Sequence, residues 1–276
     1  MNIKKYFFAK ILKTFLLSGI FLGLFAGCSD SPTSNEKDDI PLFPDFEQIQ
    51  MDVSYFLQRP PFKVNDNNAL NDQAYSEAYT HAVTAANLVN IYGATGFAYL
   101  GLAELAQPQF SDNMWNWVYS YQTQGVFTEM KLTSRQANAG NDWSLYLTIN
   151  ITGGESINNL KIMQGFTSDD GSSGRWSLFP AFQESTTPIM EFEWNKKSDS
   201  EIDMLFKIFA EDSNSQVPIF EINYKADSPD YVIDYINRES EWEKEIFWNT
   251  STLTGFIIED GTKNCWNQNL ETVACN

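Results

Sequence analysis

Three features of this 276-residue sequence predict a mostly β fold with N-terminal helices, its long up-and-down antiparallel meander curled into a half-barrel or barrel. From Asn113 onward, large apolar residues return at every second position. Clusters rich in Gly, Asn and Asp separate these runs, and before Asn113 the apolar period is that of a helix. Alternation puts one set of side chains on one face of a strand, whereas a 3.6-residue period puts them on one stripe of a helix.

Ile40 to Phe62 carries scattered aromatics with Pro41, Pro44, Pro60 and Pro61, which predicts an irregular arm with a short helix around Phe46 to Phe56. Tyr75, Tyr79, Ala82, Ala86 and Val89 then recur at spacings of four and three, on one helical face. Asn71 or Asp72 is placed to cap this helix, and Gly93-Ala94-Thr95-Gly96 is expected to end or bend it. A second apolar stretch, Phe97 to Ala106, stops before Pro108 and makes a helix pair. Both runs are short and Glu104 interrupts the second, so packing on a sheet accounts for them better than a membrane hairpin.

The strand runs are Trp115, Trp117, Tyr119, Tyr121; Trp143, Leu145, Leu147, Ile149, Ile151; Met190, Phe192, Trp194; and Ile202, Met204, Phe206, Ile208. Phe220, Ile222, Tyr224, then Tyr231, Ile233, Tyr235, then Trp242, Ile246, Trp248 complete the series. With turns at Asn138–Asp142, Gly153-Gly154, Asp170–Gly174 and Asp260-Gly261 between them, they predict roughly nine to eleven consecutive antiparallel strands. A flat sheet of that size with one apolar face and two open edges would aggregate, so it must curl.

The N-terminus has a different character. Lys4, Lys5, Lys10 and Lys13 precede an apolar run from Thr14 to Ala26, and Phe25-Ala26-Gly27-Cys28 closes it. That run is 13 residues long, against about 20 needed to cross a bilayer, and it reads as a cleaved leader. The segment resembles a bacterial lipoprotein signal peptide with its lipobox, departing from the usual pattern in having Phe25 where Leu is common, with Leu24 one place earlier. The resemblance implies cleavage before Cys28, diacylglycerol on its sulfur and an acyl chain on its new amino terminus. Two or more chains hold a protein on a membrane where one does not. Ser29, standing where Asp marks inner-membrane retention, implies the outer membrane, facing the periplasm or the cell surface. Lys37-Asp38-Asp39 reads as a linker charge cluster or as a surface-export signal. The expected organisation is a signal peptide over 1–27, a flexible tether over 28–39 and one domain over 40–276, with the arm and helices in 40–110 and the meander in 111–276.

Lipidation of Cys28 leaves Cys265 and Cys275, an even pair that an oxidising envelope compartment makes most simply a disulfide. Two buried thiols are the alternative; a metal site lacks further ligands. The net charge of −18 falls to −22 once the four leader lysines are removed, which disfavours nucleic acid and anionic lipid head groups as partners. The acidic turns Asp66-Asn67-Asn68 and Asp169-Asp170-Gly171 lack the spaced oxygens of a calcium loop.

The layout of lipidated tether, helices and long meander is similar to the half-barrel of periplasmic lipoprotein carriers and their outer-membrane acceptors. That resemblance implies a concave face for acyl chains and carries over no individual residue. Lipocalin-like barrels match the layout equally.

Signs of catalysis are absent from the sequence. His81 is the only histidine, one residue off the apolar stripe, with no nucleophile-elbow pattern beside any serine, and reads as a partly exposed helix residue without partners. Glu191 with Glu193, and Glu243 with Glu245, share strand faces at about 6 to 7 Å, near a glycosidase separation. Alternation with Phe192, Trp194, Trp242 and Ile246 makes these the solvent face of amphipathic strands. No cofactor and no metal are expected, and the chain is read as no enzyme. The surplus of aromatics, with 8 Trp, admits three readings: a lipid-lined cavity, a stacking platform for sugars, or a docking patch for an envelope protein. A cavity would turn Trp115, Trp117, Trp194, Trp242 and Trp248 inward, a sugar site would lay two or three flat on the surface, and a docking patch would cluster them at an edge. The function predicted is a binding or carrier module for an apolar or amphipathic ligand. A structural, protein-interaction or sugar-binding envelope lipoprotein is the alternative.

Overall fold

The alternating runs form strands of a single antiparallel sheet in a computed structural model that describes residues 40–43, 49–61, 72–210 and 217–275. In chain order the strands are β1 (Gln109–Ser111), β2 (Met114–Thr123), β3 (Val126–Ala137), β4 (Gly140–Ile151), β5 (Ile157–Ser168), β6 (Ser173–Leu178) and β7 (Met190–Ser198). Then follow β8 (Glu201–Ile208), β9 (Phe220–Asp227), β10 (Asp230–Asn237), β11 (Trp242–Asn249), β12 (Thr254–Glu259), β13 (Thr262–Trp266) and β14 (Thr272–Val273). Spatial order equals sequence order throughout, so the sheet is a pure meander of 14 strands and is not closed into a barrel. The excess over the expected nine to eleven comes partly from the short edges β1 and β14, and from β6, whose first residues lie in the expected turn Asp170–Gly174.

Tight hairpins set the register. Asp112-Asn113 and Gln124-Gly125 have positive φ at both positions, as does Asp260-Gly261. This backbone has a twist that matches the strands it joins. Register shifts between β4 and β5 at Leu145/Tyr146 and Leu147/Ile149 add local twist.

Two helices precede the sheet: α1 (Ser54–Leu57) and α2 (Gln73–Glu104). Of the short helix expected around Phe46 to Phe56, the described residues contain α1, while Phe46 lies outside the described residues, as do Asn71, the turn at Asp66, the leader, Cys28 and the tether. The expected helix pair is instead one helix of 32 residues that runs through Gly93 and Gly96. A mid-helix glycine costs only about 1 kcal/mol, which tertiary packing at both ends outweighs. Asp72 precedes the helix and its carbonyl accepts the Ser76 N–H at 2.8 Å, but its side chain makes no capping bond. No helix among the described residues is long and apolar enough to cross a membrane.

The buried stripe of α2 is rich in alanine: Ala74, Tyr75, Ala78, Ala82, Ala85, Ala86 and Val89, then Leu100 and Ala103. Small side chains let a helix lie close against a sheet. Its start sits on β13 and β14, where the Ala74 N–H donates to Thr272 Oγ1 at 3.1 Å and Tyr75 meets the ring of Trp266. The same helix, about 48 Å long at 1.5 Å per residue, also contacts β2 and β3. One helix therefore touches strands from both ends of the meander, which requires the sheet to curl around it. The core lies between the sheet's inward face, α2 and the arm residues Ile49, Met51, Val53, Tyr55 and Phe56.

Candidate functional site: the inward face of the curled sheet

Cross-strand register resolves which side chains share the inward face. One row runs Trp115, Ser134, Trp143, Gly165, Trp176, Phe192, Phe206, Ile222, Tyr235, Lys244, Glu259, one residue from each strand from β2 to β12. The neighbouring row contains Trp117 and Trp242, and on the other side lie Trp194 and, one step further, Trp248. All five tryptophans singled out in the sequence thus occupy the same face. Trp117, Trp194 and Trp248 are buried, while Trp115 and Trp242 are half-buried. Trp143, Trp176 and Trp266 join them, so none of the eight indoles is exposed and no flat surface platform for sugars is built from them.

Glycines make room for the indoles. Gly165 pairs with Trp176, Gly174 with Trp194 and Gly255 with Trp266, and a methyl group at any of the three would overlap the indole opposite. An indole laid over a cross-strand glycine lets a bulky ring occupy the crowded inside of a bend. The indoles then pack as tilted neighbours: Trp115 to Trp117 at 6.4 Å, Trp117 to Trp143 at 5.7 Å and Trp143 to Trp176 at 6.3 Å between ring centroids.

The arm covers both ends of this face. Phe43 sits edge-on to Trp117 at 5.3 Å and tilted over Trp143 at 5.4 Å. Farther along the chain, Phe56 packs on Trp248 at 5.0 Å and stacks on Tyr75 at 5.7 Å. Polar groups anchor that second region. Trp266 Nε1–H donates to the Tyr55 hydroxyl at 3.0 Å, Tyr55 donates to the Leu253 carbonyl at 3.1 Å, and the Asp52 N–H donates to the Tyr224 hydroxyl at 3.0 Å.

The only charged side chains of the long row are Lys244 and Glu259, an ion pair on adjacent strands. The Lys244 side chain is 9% exposed, and its ammonium lies 2.7 Å from His81 Nε2 and 5.2 Å from the centre of the Trp242 ring. His81 is therefore not the partnerless helix residue expected from sequence. Its ring also lies 6.2 Å from Tyr235 and 6.1 Å from Trp242. Burial, followed by the neighbouring Lys244 cation, holds the imidazole below its ordinary value of 6.5, against the opposing pull of Glu259 and Glu77. The neutral ring accepts from the ammonium on Nε2 and keeps its own proton on Nδ1. Sequence alternation contained the signal for this cluster, since Lys244 has the inward parity of Trp242 and Ile246.

The remaining candidates resolve into structure. Glu191 and Glu193 lie on the opposite face, Glu191 with its carboxylate 4.0 Å from Lys207 Nζ. Glu243 is exposed and Glu245 half-buried on the outward parity of β11. Cys265 and Cys275 form a disulfide across ten residues and tie the last segment to β13. Asp170 accepts from the Ser172 N–H and the hydroxyls of Ser168 and Ser172, which pull its carboxyl down to about 2 and make it a turn residue. Among the described residues no group of His, Cys, Asp or Glu is placed to hold a metal ion.

Four buried side-chain atoms find no hydrogen-bond partner among the described residues: Ser134 Oγ, Asn141 Oδ1, Trp176 Nε1 and Trp248 Nε1. Comparison with known proteins returns no match from any family model, curated protein or solved structure.

Proposed function

We propose that this chain is an outer-membrane lipoprotein, anchored through Cys28, whose curled sheet is a non-enzymatic binding or carrier module for an apolar or amphipathic ligand. One observation carries the reading: the inward face is rich in buried aromatic side chains on a sheet with open edges, spanned by a single helix. Reaching that face requires moving a helix or an arm held by side-chain packing and a few hydrogen bonds; no strand ladder has to break. The basic leader ending in Gly27-Cys28 supports the anchor, and the order of helices before meander supports a carrier-like architecture.

Native mass spectrometry of the mature protein with fatty acids and phospholipids, read together with tryptophan fluorescence, tests the ligand. Adducts with a spectral shift are expected; neither adduct nor shift overturns it. Cys28→Ala is expected to move the protein from the detergent extract to the soluble fraction, and a variant that stays on the membrane overturns the anchor.

A second reading, a structural or protein-interaction lipoprotein, is favoured by Tyr55 and Phe56, which already occupy the inward face against Trp266 and Trp248. It predicts no adduct in the same experiment.

A further inference from the structure

The unpaired polar atoms are not scattered. Three of the four belong to residues that neighbour Trp143 on the inward face. Ser134 lies directly opposite Trp143 on β3, which sets the two Cβ atoms about 5 Å apart. Asn141 is on the same face of β4, two residues along, about 7 Å away at strand rise. The Trp176 ring lies 6.3 Å from that of Trp143. Ser134 is 1% exposed, Asn141 6% and Trp176 3%, so bulk water does not serve them. Trp143 itself is satisfied, its Nε1–H donating to Thr167 Oγ1 at 2.7 Å. Among the described residues, the arm ring in contact with Trp143 is Phe43, an apolar side chain with nothing to offer these atoms. A buried polar atom left unpaired costs about 1 to 3 kcal/mol, and three such costs fall on neighbours of one residue.

We infer that the inward face of β3, β4 and β6 is a site for the uncharged polar head of an amphipathic ligand, contacted by Ser134, Asn141 and Trp176, and that Phe43 holds the place the ligand takes. This rests on the reading of the chain as a binding module and narrows its ligand class. The donor and acceptor character is explicit: Trp176 Nε1–H donates, Asn141 Oδ1 accepts and the Ser134 hydroxyl does either. A hydroxyl or amide head matches that set. An ionised head does not, because among the described residues no Lys, Arg, Asp or Glu lies on the inward face of β2 to β6, the one charge of inward parity on β7, Lys196, stands four residues beyond Phe192 and is paired with Asp199, and an uncompensated buried charge is far more costly than a buried hydroxyl. The indoles of Trp117 and Trp143, relieved of Phe43, receive the chain or ring next to that head.

The test titrates the full-length protein in non-ionic detergent with three probes sharing one C18 chain: monooleoylglycerol, oleamide and ionised oleate, read by tryptophan fluorescence and native mass spectrometry. The two neutral probes are expected to bind roughly 10-fold or more tighter than oleate. Ser134→Ala and Trp176→Phe, each deleting one unpaired polar group, are expected to weaken the neutral probes roughly 3- to 10-fold while leaving the thermal midpoint unchanged or raised. Phe43→Ala is expected to tighten them. Equal affinity for all three probes, or Ser134→Ala and Trp176→Phe without effect on affinity, overturns the polar site and leaves the apolar-ligand reading standing. A drop in stability with unchanged affinity assigns Ser134 to packing and also overturns the site. No binding of any probe, to the wild type or to Phe43→Ala, overturns both.

Discussion

At the β9 to β13 end, the inward face meets polar partners brought from elsewhere in the chain, whereas at the β2 to β6 end it meets chiefly rings. Tyr55, Asp52 and His81 give Trp266, Tyr224 and Lys244 their hydrogen bonds across more than 160 residues of sequence. Over Trp117 and Trp143 the described arm residues supply Phe43 alone, and Ser134 Oγ, Asn141 Oδ1 and Trp176 Nε1 stay unpaired. Trp248 Nε1 is the one comparable orphan at the other end. The same device, an indole over a glycine, occurs in both regions, so the bend of the sheet does not explain the difference. What differs is whether a polar group arrives with the covering segment. One region is closed by hydrogen-bonded partners; the other keeps unpaired polar atoms among the described residues.

The largest test of that contrast is Trp266→Ala, which removes a ring packed on Phe56 and Tyr75 and a donor to Tyr55, and is expected to cost about 3 to 5 kcal/mol in denaturant unfolding. A loss under 1 kcal/mol would mean that the β9 to β13 end is no better packed than the other. Next in size is Cys275→Ser. Opening a ten-residue loop is expected to cost about 3 kcal/mol, with hydrogen exchange rising first at β13, β14 and the start of α2; exchange rising uniformly would show that the bond acts on the whole fold.

Glu259→Gln is a smaller perturbation, about 1 to 2 kcal/mol, because it strands the Lys244 ammonium in a site with little water, while the carboxylate itself is partly solvated. Lys244→Met, which removes the buried charge, is expected to cost less than Glu259→Gln. The reverse order would show that the pair is stabilising in its own right.

The smallest effect is a pH dependence. Unfolded, His81 takes up a proton at about its ordinary value of 6.5; folded, it does so only at lower pH. Between those values the unfolded chain binds more protons, so stability present above pH 6.5 declines as pH falls below it. The groups that face the imidazole are Lys244 on β11, Glu259 on β12, Tyr235 on β10 and Glu77 one turn earlier on α2. His81→Gln is expected to flatten the unfolding curve's pH dependence in that window, and a variant with the wild-type slope would place the titration elsewhere.

Much of this was legible in the chain. Period-two alternation is a local property, so strands such as Met190–Ser198 and Phe220–Asp227 could be read from side-chain parity alone, as could the apolar stripe of α2 around Ala82 and Val89. The Cys265–Cys275 bond followed from cysteine parity and the expected compartment. Parity also put Trp115, Trp117, Trp194, Trp242 and Trp248 on definite sides of their own strands. It did not say that those sides coincide, because that depends on the register of every intervening pair. Nor could glycines at 93 and 96 reveal that α2 continues, since continuation is decided by contacts of the helix with β2 and β3 at one end of the sheet and β12 to β14 at the other. The pairing of His81 with Lys244, 163 positions away, and the lack of a partner among the described residues for Ser134 Oγ both depend on how chain segments meet across the curled sheet. Local pattern determined the elements and their faces, while the closing of the arm and the helix over that sheet decided which polar groups were satisfied and which were left for something else to satisfy.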